Sequence, residues 1–452
     1  MNLASKLLCA VFDDLNPRKI KYCVMNNYEN LPDVVPTDVD IAIDSETFNR
    51  LDILLSKIAM KNNAEVVQKI WHGYNKYAYI LSPTRLDKPF RLQLDFFVDF
   101  SFKGFPFLLP NMVLLKNRRS YRNFFVPATK IEVLFITLRR ILKADTNEEH
   151  MQKLKELYLK DSIGVEEIFK DYFKNKIAKE LIEVIRTKDS QKFQKNIRKY
   201  RRFLRMRTLK YPAVYFKFWI SEISRVIERL KYPIGMMVVL LGPDGAGKTT
   251  IAYRILKLTS GNFHGGKRYY WRPKFLPQMG RLLRFWRPAS PEQGINPNPH
   301  AHIKQNPFKS SVRFFYYSVD YILGFYLKLY PQIVRKKLVI MDRYYYDFLI
   351  DLHRYNFNIP KWLPKALLPL IPNPDLIFYL DTGLMNLVKR KQEIPLEELE
   401  RQVKAFRELS SKMPNSYTID NNNRTIEEVT SEIVSIILEK KASQSRKILN
   451  LK

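Results

Sequence analysis

Cysteine is almost missing from this chain. Cys9 and Cys23 are the two among 452 residues. That excludes a disulfide framework or a cysteine-built metal knot and suits a reducing compartment. Acids are also scarce: 45 against 77 bases, a net charge of +32. Such an excess leaves acidic partners to be expected, whether nucleotides, nucleic acid or an anionic membrane surface. No uninterrupted apolar run reaches about eighteen residues, so no membrane-spanning helix is expected. The opening MNLASKLLCAVFDDLN meets Asp13 and Asp14 too early for a secretory leader. A cytoplasmic protein, at most peripheral to a membrane, is the expectation. What is present is core material: 46% apolar and 13% aromatic residues, over a length that suits two or three domains.

One stretch organises the rest. Met236–Leu241 is an apolar run of strand length. Behind it stands Gly242-Pro243-Asp244-Gly245-Ala246-Gly247-Lys248-Thr249-Thr250, followed by a helix-patterned segment with Ile251, Ile255 and Leu258 on one face. Strand, G-x-x-x-x-G-K-[ST] and helix together form a phosphate loop. Its glycines let backbone N–H groups surround a phosphate chain, and the helix N-terminus adds its positive dipole end. The lysine reaches the β- and γ-phosphates while the threonine hydroxyl holds Mg²⁺.

Several later segments belong with this loop. Lys337–Met341 reads as a buried strand ending in Asp342-Arg343-Tyr344, and Pro374–Asp381 as another. Tyr417–Asp420 reads as a last strand, and Thr425 with Glu428 as a capping box for the final helix. Alternating strands and helices imply an α/β fold, a parallel sheet flanked by helices, with ligands beyond the carboxyl ends of its strands. G-P-D-G-A-G-K-T-T, D-R-Y, P-D-L-x-x-Y-L-D and Phe406-Arg407-x-Leu409 resemble those of a thymidylate kinase, over about 200 residues.

That resemblance implies an ATP-dependent phosphotransferase using Mg²⁺. Lys248 would stabilise the transferring phosphoryl group, Thr249 would ligate Mg²⁺, and Asp342 would hold the ion through water. Arg343 would contact the acceptor phosphate, Asp244 would help place donor and acceptor, and Arg390 would close on the phosphates. Two departures stand out. Trp271-Arg272-Pro273 replaces the Arg-Glu-Pro-Gly turn, keeping an arginine and losing the acid. A proline-rich insert with His300 and His302 runs from Lys274 to Lys309. Arg272 and Arg343 are expected to share an acceptor pocket, with thymidylate a poor substrate and a nucleotide or other phosphorylated small molecule as acceptor. Arg313–Leu329 is expected to be a helix packed on the sheet, with Asp320 facing that pocket.

The N-terminal part reads differently. Thr37-Asp38-Val39-Asp40-Ile41 sets Asp38 and Asp40 on one face of a strand, and on another strand Gln93 and Asp95 alternate with Leu92, Leu94 and Phe96, so Asp95 stands on a polar face. Two carboxylates on one strand and a third on its neighbour can hold divalent metal at a triphosphate. This resembles the nucleotidyltransferase fold, although Asn26-Asn27 lies where that family carries Gly-Ser. Ser45 is expected to cap the helix that carries Leu51, Leu55 and Ile58. From Ile131 onward the pattern is helical. Gln191–Lys210 is rich in Lys and Arg without an acid, and Tyr211–Ile223 is aromatic. That composition suits nucleic acid or anionic lipid, or a solvated linker.

The expected organisation is a nucleotidyltransferase-like α+β domain at 1–125, a basic helical linker at 126–232, a thymidylate kinase-like P-loop domain at 236–440 and a disordered basic tail at 441–452. Phosphotransfer at the P-loop is the leading reading. The alternatives are nucleotidyl transfer by the N-terminal domain with the P-loop as an ATP-binding regulator, and a nucleotide-gated protein that binds nucleic acid or a membrane surface.

Overall fold

The computed structural model describes residues 2–83, 91–102, 104–279, 306–390 and 395–448. His300, His302 and most of the proline-rich insert lie outside them, as does the side chain of Arg390. The chain forms two compact units. Among the described residues, one contains those within 2–83, 91–228 and 441–448, the other those within 229–440.

The first unit is built on five strands: β1 (Tyr22–Val24), β2 (Val39–Ile43), β3 (Glu65–Gly73), β4 (Lys76–Ser82) and β5 (Leu92–Phe97), in the order β1-β2-β5-β4-β3. β2 and β5 are parallel, and the other pairs are antiparallel. Two small hairpins follow, β6 (Phe100–Phe102) with β7 (Phe105–Leu109) and β8 (Arg119–Tyr121) with β9 (Phe124–Val126).

Side-chain alternation gives β2 two buried faces. Val39, Ile41 and Ile43 meet Leu92, Leu94 and Phe96 in one core, with Leu8, Val11 and Phe12 of the helix Leu3–Leu15. Ala42 and Phe97 belong to a second core with Val133, Leu138 and Ile141 of the helix Thr129–Lys143 and with residues of the helices that follow. The expected helical linker therefore shares a core with the expected N-terminal domain. Ser45 is not the cap: Asp44 accepts from the Thr47 N–H, and the helix breaks before resuming at Leu51–Lys61.

The expected disordered tail is instead helical as far as the described residues extend, in a helix Ile426–Ile448. Ala442 and Ser445 are buried, and the Ser445 hydroxyl donates to the Val67 carbonyl at 2.8 Å. The apolar and small residues of that segment supply the packing that its basic composition conceals.

The second unit carries β10 (Met236–Leu241), β11 (Gly266–Tyr270), β12 (Leu338–Asp342), β13 (Leu376–Asp381) and β14 (Ser416–Asp420), all parallel, in the order β11-β12-β10-β13-β14. Val238, Leu240, Ile340 and Phe378 pack on one side with Ile251 and Ile255 of the helix Lys248–Leu258 and with Val429 and Ile433. Val239, Met341 and Tyr379 pack on the other side with Phe314 and Tyr321 of the helix Pro307–Gly324. That helix continues through a single wide turn, Phe325–Leu329, to Val334. Chain order reverses beside β10, which opens a crevice at the carboxyl ends of β10 and its neighbours.

Candidate active site at the phosphate loop

The loop between β10 and the helix Lys248–Leu258 needs its glycines. Gly242 has φ +143° and Gly247 φ +79°, conformations that a side chain resists. Behind the loop, buried Asn421 donates to the Ala246 carbonyl at 3.0 Å and to the Thr382 hydroxyl at 2.9 Å. Asn421 follows β14 and was not singled out from sequence.

Lys248 is buried, its ammonium donating to the carbonyls of Gly242 at 2.8 Å and Pro243 at 2.7 Å. Burial, then the nearby Arg343 guanidinium, push its pKa down to about 7. Thr249 donates its hydroxyl to an Asp342 carboxylate oxygen at 2.7 Å. Asp342 closes β12 and has Arg268 of β11 at 3.4 Å. A hydroxyl and a carboxylate on adjacent elements are hard oxygen donors, the type that Mg²⁺ takes while keeping several waters. Thr249 and Asp342 thus fit the ion that a P-loop implies.

Next to them is a network of acids and arginines. Asp244, within the loop, accepts from both Arg343 and Arg354. Arg343 also donates to Asp347 at 2.5 Å, and the Tyr355 hydroxyl donates to Asp347 at 3.1 Å. Burial alone would raise the Asp244 carboxyl, but the two guanidiniums and Lys248 outweigh it and hold it far below the carboxylate range. Arg343 sits at φ +71°, a strained position for a residue with a side chain. Arg354 pairs with an acid 110 residues away, and nothing local in the sequence marks that partnership.

Arg272 has its guanidinium taken up inside the protein rather than free for the acceptor pocket expected with Arg343. It is only 1% exposed, and its guanidinium donates to Asp320 at 2.6 Å and to the Leu276 carbonyl at 2.8 Å. Asp320 also accepts the N–H groups of Leu276 at 2.6 Å and Lys274 at 3.1 Å, so its carboxylate is taken up by this segment. The turn has lost its own acid, and its arginine is neutralised by Asp320 of the helix Pro307–Gly324. Trp271, at φ +65°, stacks on Tyr355 with ring centroids 4.9 Å apart. Arg390 ends the helix Leu384–Arg390.

In the first unit, parallel pairing sets Asp40 directly opposite Asp95. Ligand oxygens of Asp38, Asp40 and Asp95 all lie within 4.8 Å of one another. Basic side chains already sit on the cluster. Lys76 is 3.2 Å from both Asp40 and Asp95, Arg139 is 2.6 Å from Asp40, and His72 is 3.5 Å from Asp95. Burial would raise the Asp40 carboxyl, yet Lys76 and Arg139 bring it down to about 2. Beside it lies a cavity of about 340 Å³, lined by Lys76, Arg139, Phe97, Phe135, Phe218 and Arg225 among others.

No curated protein matches the chain. Among solved structures, thymidylate kinase from Candida albicans is similar at 18% identity, over 46% of this chain and 93% of that one, with a TM-score of 0.34. Thymidylate kinase from Ehrlichia chaffeensis is similar at 20% identity, over 45% of this chain and all (100%) of that one, with a TM-score of 0.31. The family model for thymidylate kinase matches residues 241–436, the segment that holds the loop, Asp342 and Arg343. The chain is thus a P-loop kinase whose residues 241–436 carry a thymidylate kinase family domain.

Proposed function

We propose that the protein transfers the γ-phosphoryl group of ATP to an acceptor that already carries a phosphate, and that thymidylate is a poor acceptor. The observation that carries this reading is the pair of guanidiniums, Arg343 and Arg354, gathered on Asp244 beside Lys248. An oxygen of the acceptor phosphate forms the new P–O bond. The β–γ bridging oxygen leaves with ADP. Positioning and charge neutralisation do most of the work in such transfers.

Lys248 turns from the loop carbonyls toward the β- and γ-phosphates and neutralises charge that builds on the leaving side. Thr249 and Asp342 would hold Mg²⁺, which would screen the phosphate oxygens. Arg343 and Arg354 take the acceptor phosphate through paired hydrogen bonds that lysines could not reproduce. Asp244 orients both arginines until the acceptor arrives. The acceptor is a nucleotide or another phosphorylated small molecule. Arg272 is committed to Asp320, so the turn that departs from the thymidylate kinase pattern adds no free cation.

A panel of nucleoside monophosphates and sugar phosphates, assayed with ATP and Mg²⁺, tests the reading. Thymidylate turnover at about 10⁴ M⁻¹s⁻¹ or more would overturn the acceptor assignment, and no transfer to any phosphorylated acceptor would overturn the reaction. A second reading, nucleotidyl transfer in the first unit, draws support from the convergence of Asp38, Asp40 and Asp95. Against it stand Lys76 and Arg139 on the same carboxylates, and Asn26-Asn27 in place of Gly-Ser.

A further inference from the structure

The helix Pro212–Lys231 is built inside out. Its one buried residue is Phe218. Phe218, Glu222 and Arg225, spaced four and three apart, line the cavity beside Asp40. The opposite side carries Phe216, Trp219, Ile220, Ile223, Val226 and Ile227, all between 44% and 68% exposed. At about 100° per residue these six fall within a stripe roughly 120° wide, and at about 1.5 Å per residue it runs some 17 Å. A core-facing helix hides such a stripe; this one leaves it in solvent.

Immediately before it lies the helix Ser190–Thr208. Its exposed residues include Lys195, Arg198, Arg202 and Arg205, and Lys210 follows. None of these five pairs with a carboxylate among the described residues. Leu209 and Tyr211, in the short connection between the helices, are also exposed. Exposed cations and an exposed apolar stripe are thus separated by only a few residues, in a chain of net charge +32.

We propose that this helix pair is a docking surface for an anionic lipid bilayer, with the stripe of Pro212–Lys231 seated at the headgroup–acyl boundary and the cations of Ser190–Thr208 on acidic headgroups. Charge decides between occupants. A second copy seated face to face would bring two uncompensated basic helices together. Nucleic acid would satisfy the cations but not the stripe, because Ile220, Ile223, Val226 and Ile227 offer no ring for a base to stack on. An acidic bilayer satisfies both halves, and Trp219 suits the interfacial zone.

The test is co-sedimentation of the full chain with phosphatidylcholine vesicles with and without phosphatidylglycerol, together with tryptophan fluorescence. Binding is expected only with phosphatidylglycerol, with a blue shift. Removing one cation, as in Arg202→Gln or Arg205→Gln, weakens it by about fivefold. The double variant Ile223→Asp/Ile227→Asp weakens it by at least about tenfold while keeping the wild-type circular dichroism spectrum. Equal binding to both vesicle types overturns the proposal, as does full binding by the double variant. A dimer, or a complex with single-stranded DNA, that forms in place of vesicle binding and is lost in the double variant also overturns it. Phosphoryl transfer in solution is read separately. A chain inert toward every acceptor but held by acidic vesicles fails the proposed reaction and keeps this surface.

Discussion

Asp320→Asn tests whether Arg272 is a structural or a substrate-facing arginine. Asp320 is fully buried and accepts from a guanidinium and two backbone N–H groups. Asparagine keeps the shape and one acceptor oxygen but removes the charge. Arg272, 1% exposed, is then left as a buried, uncompensated cation. Breaking one side of such a pair costs about 3–5 kcal/mol. For a unit of about 200 residues that is on the order of 10 °C in melting temperature.

The reverse change, Arg272→Met, costs less, about 2 kcal/mol, because the Lys274 and Leu276 N–H groups still stabilise the carboxylate. The double variant leaves neither charge and is expected to be more stable than Asp320→Asn alone, with a coupling of about 1–3 kcal/mol. Urea denaturation of the four proteins measures this cycle, and turnover is followed on the same samples. If Arg272→Met abolishes phosphoryl transfer at unchanged stability, or if Asp320→Asn melts like wild type, Arg272 belongs to the substrate site and this account of the buried pair fails.

Three further outcomes are expected. Lys248→Ala lowers phosphoryl transfer by about 10²–10³-fold without loss of fold, since burial already penalises this ammonium; wild-type turnover would refute its role. Because the Lys248 pKa is lowered to about 7, the unfolded chain binds more protons than the folded one between about pH 7 and 10.5, so this group makes stability rise with pH there. ATP favours the ammonium, so binding at pH 8 takes up a fraction of a proton; calorimetry in two buffers of different ionisation enthalpy should show different apparent heats, and identical heats would contradict it. Gly235→Ala puts a Cβ 2.4 Å from the carbonyls of Ile333 and Lys337, and the shift this forces in β10 costs about 1–3 kcal/mol, readable as a lower urea midpoint.

The phosphate loop was legible because its chemistry is local: strand, glycines, lysine and helix are consecutive. The meeting of Thr249 and Asp342 was legible because the loop after one parallel strand opens beside the carboxyl end of its neighbour. The convergence of Asp38, Asp40 and Asp95 followed from alternation, and the parallel register of β2 and β5 completed it. What could not be read was partnership at a distance. The pairing of Arg272 with Asp320 spans 48 residues, and that of Arg354 with Asp244 spans 110. Nothing in either neighbourhood distinguishes a structural arginine from a substrate-facing one. The boundary expected near residue 125 failed for a related reason. Gln93 and Asp95 made one side of β5 look solvent-facing, whereas Ala42 and Phe97 on that side pack into the second core.

Asp244 sets terms for anything that enters the site. Its carboxylate already engages Arg343 and Arg354, so an acceptor phosphate bound as proposed above would arrive by exchange. Its affinity is a difference between two ion pairs rather than the strength of one. A neutral sugar has nothing to trade. A singly charged group roughly breaks even with the carboxylate it displaces, and a phosphate dianion wins on charge before shape is consulted. On departure the balance would reverse: Asp244 would recover its arginines as the product leaves, so the residue that taxes entry would also hasten release.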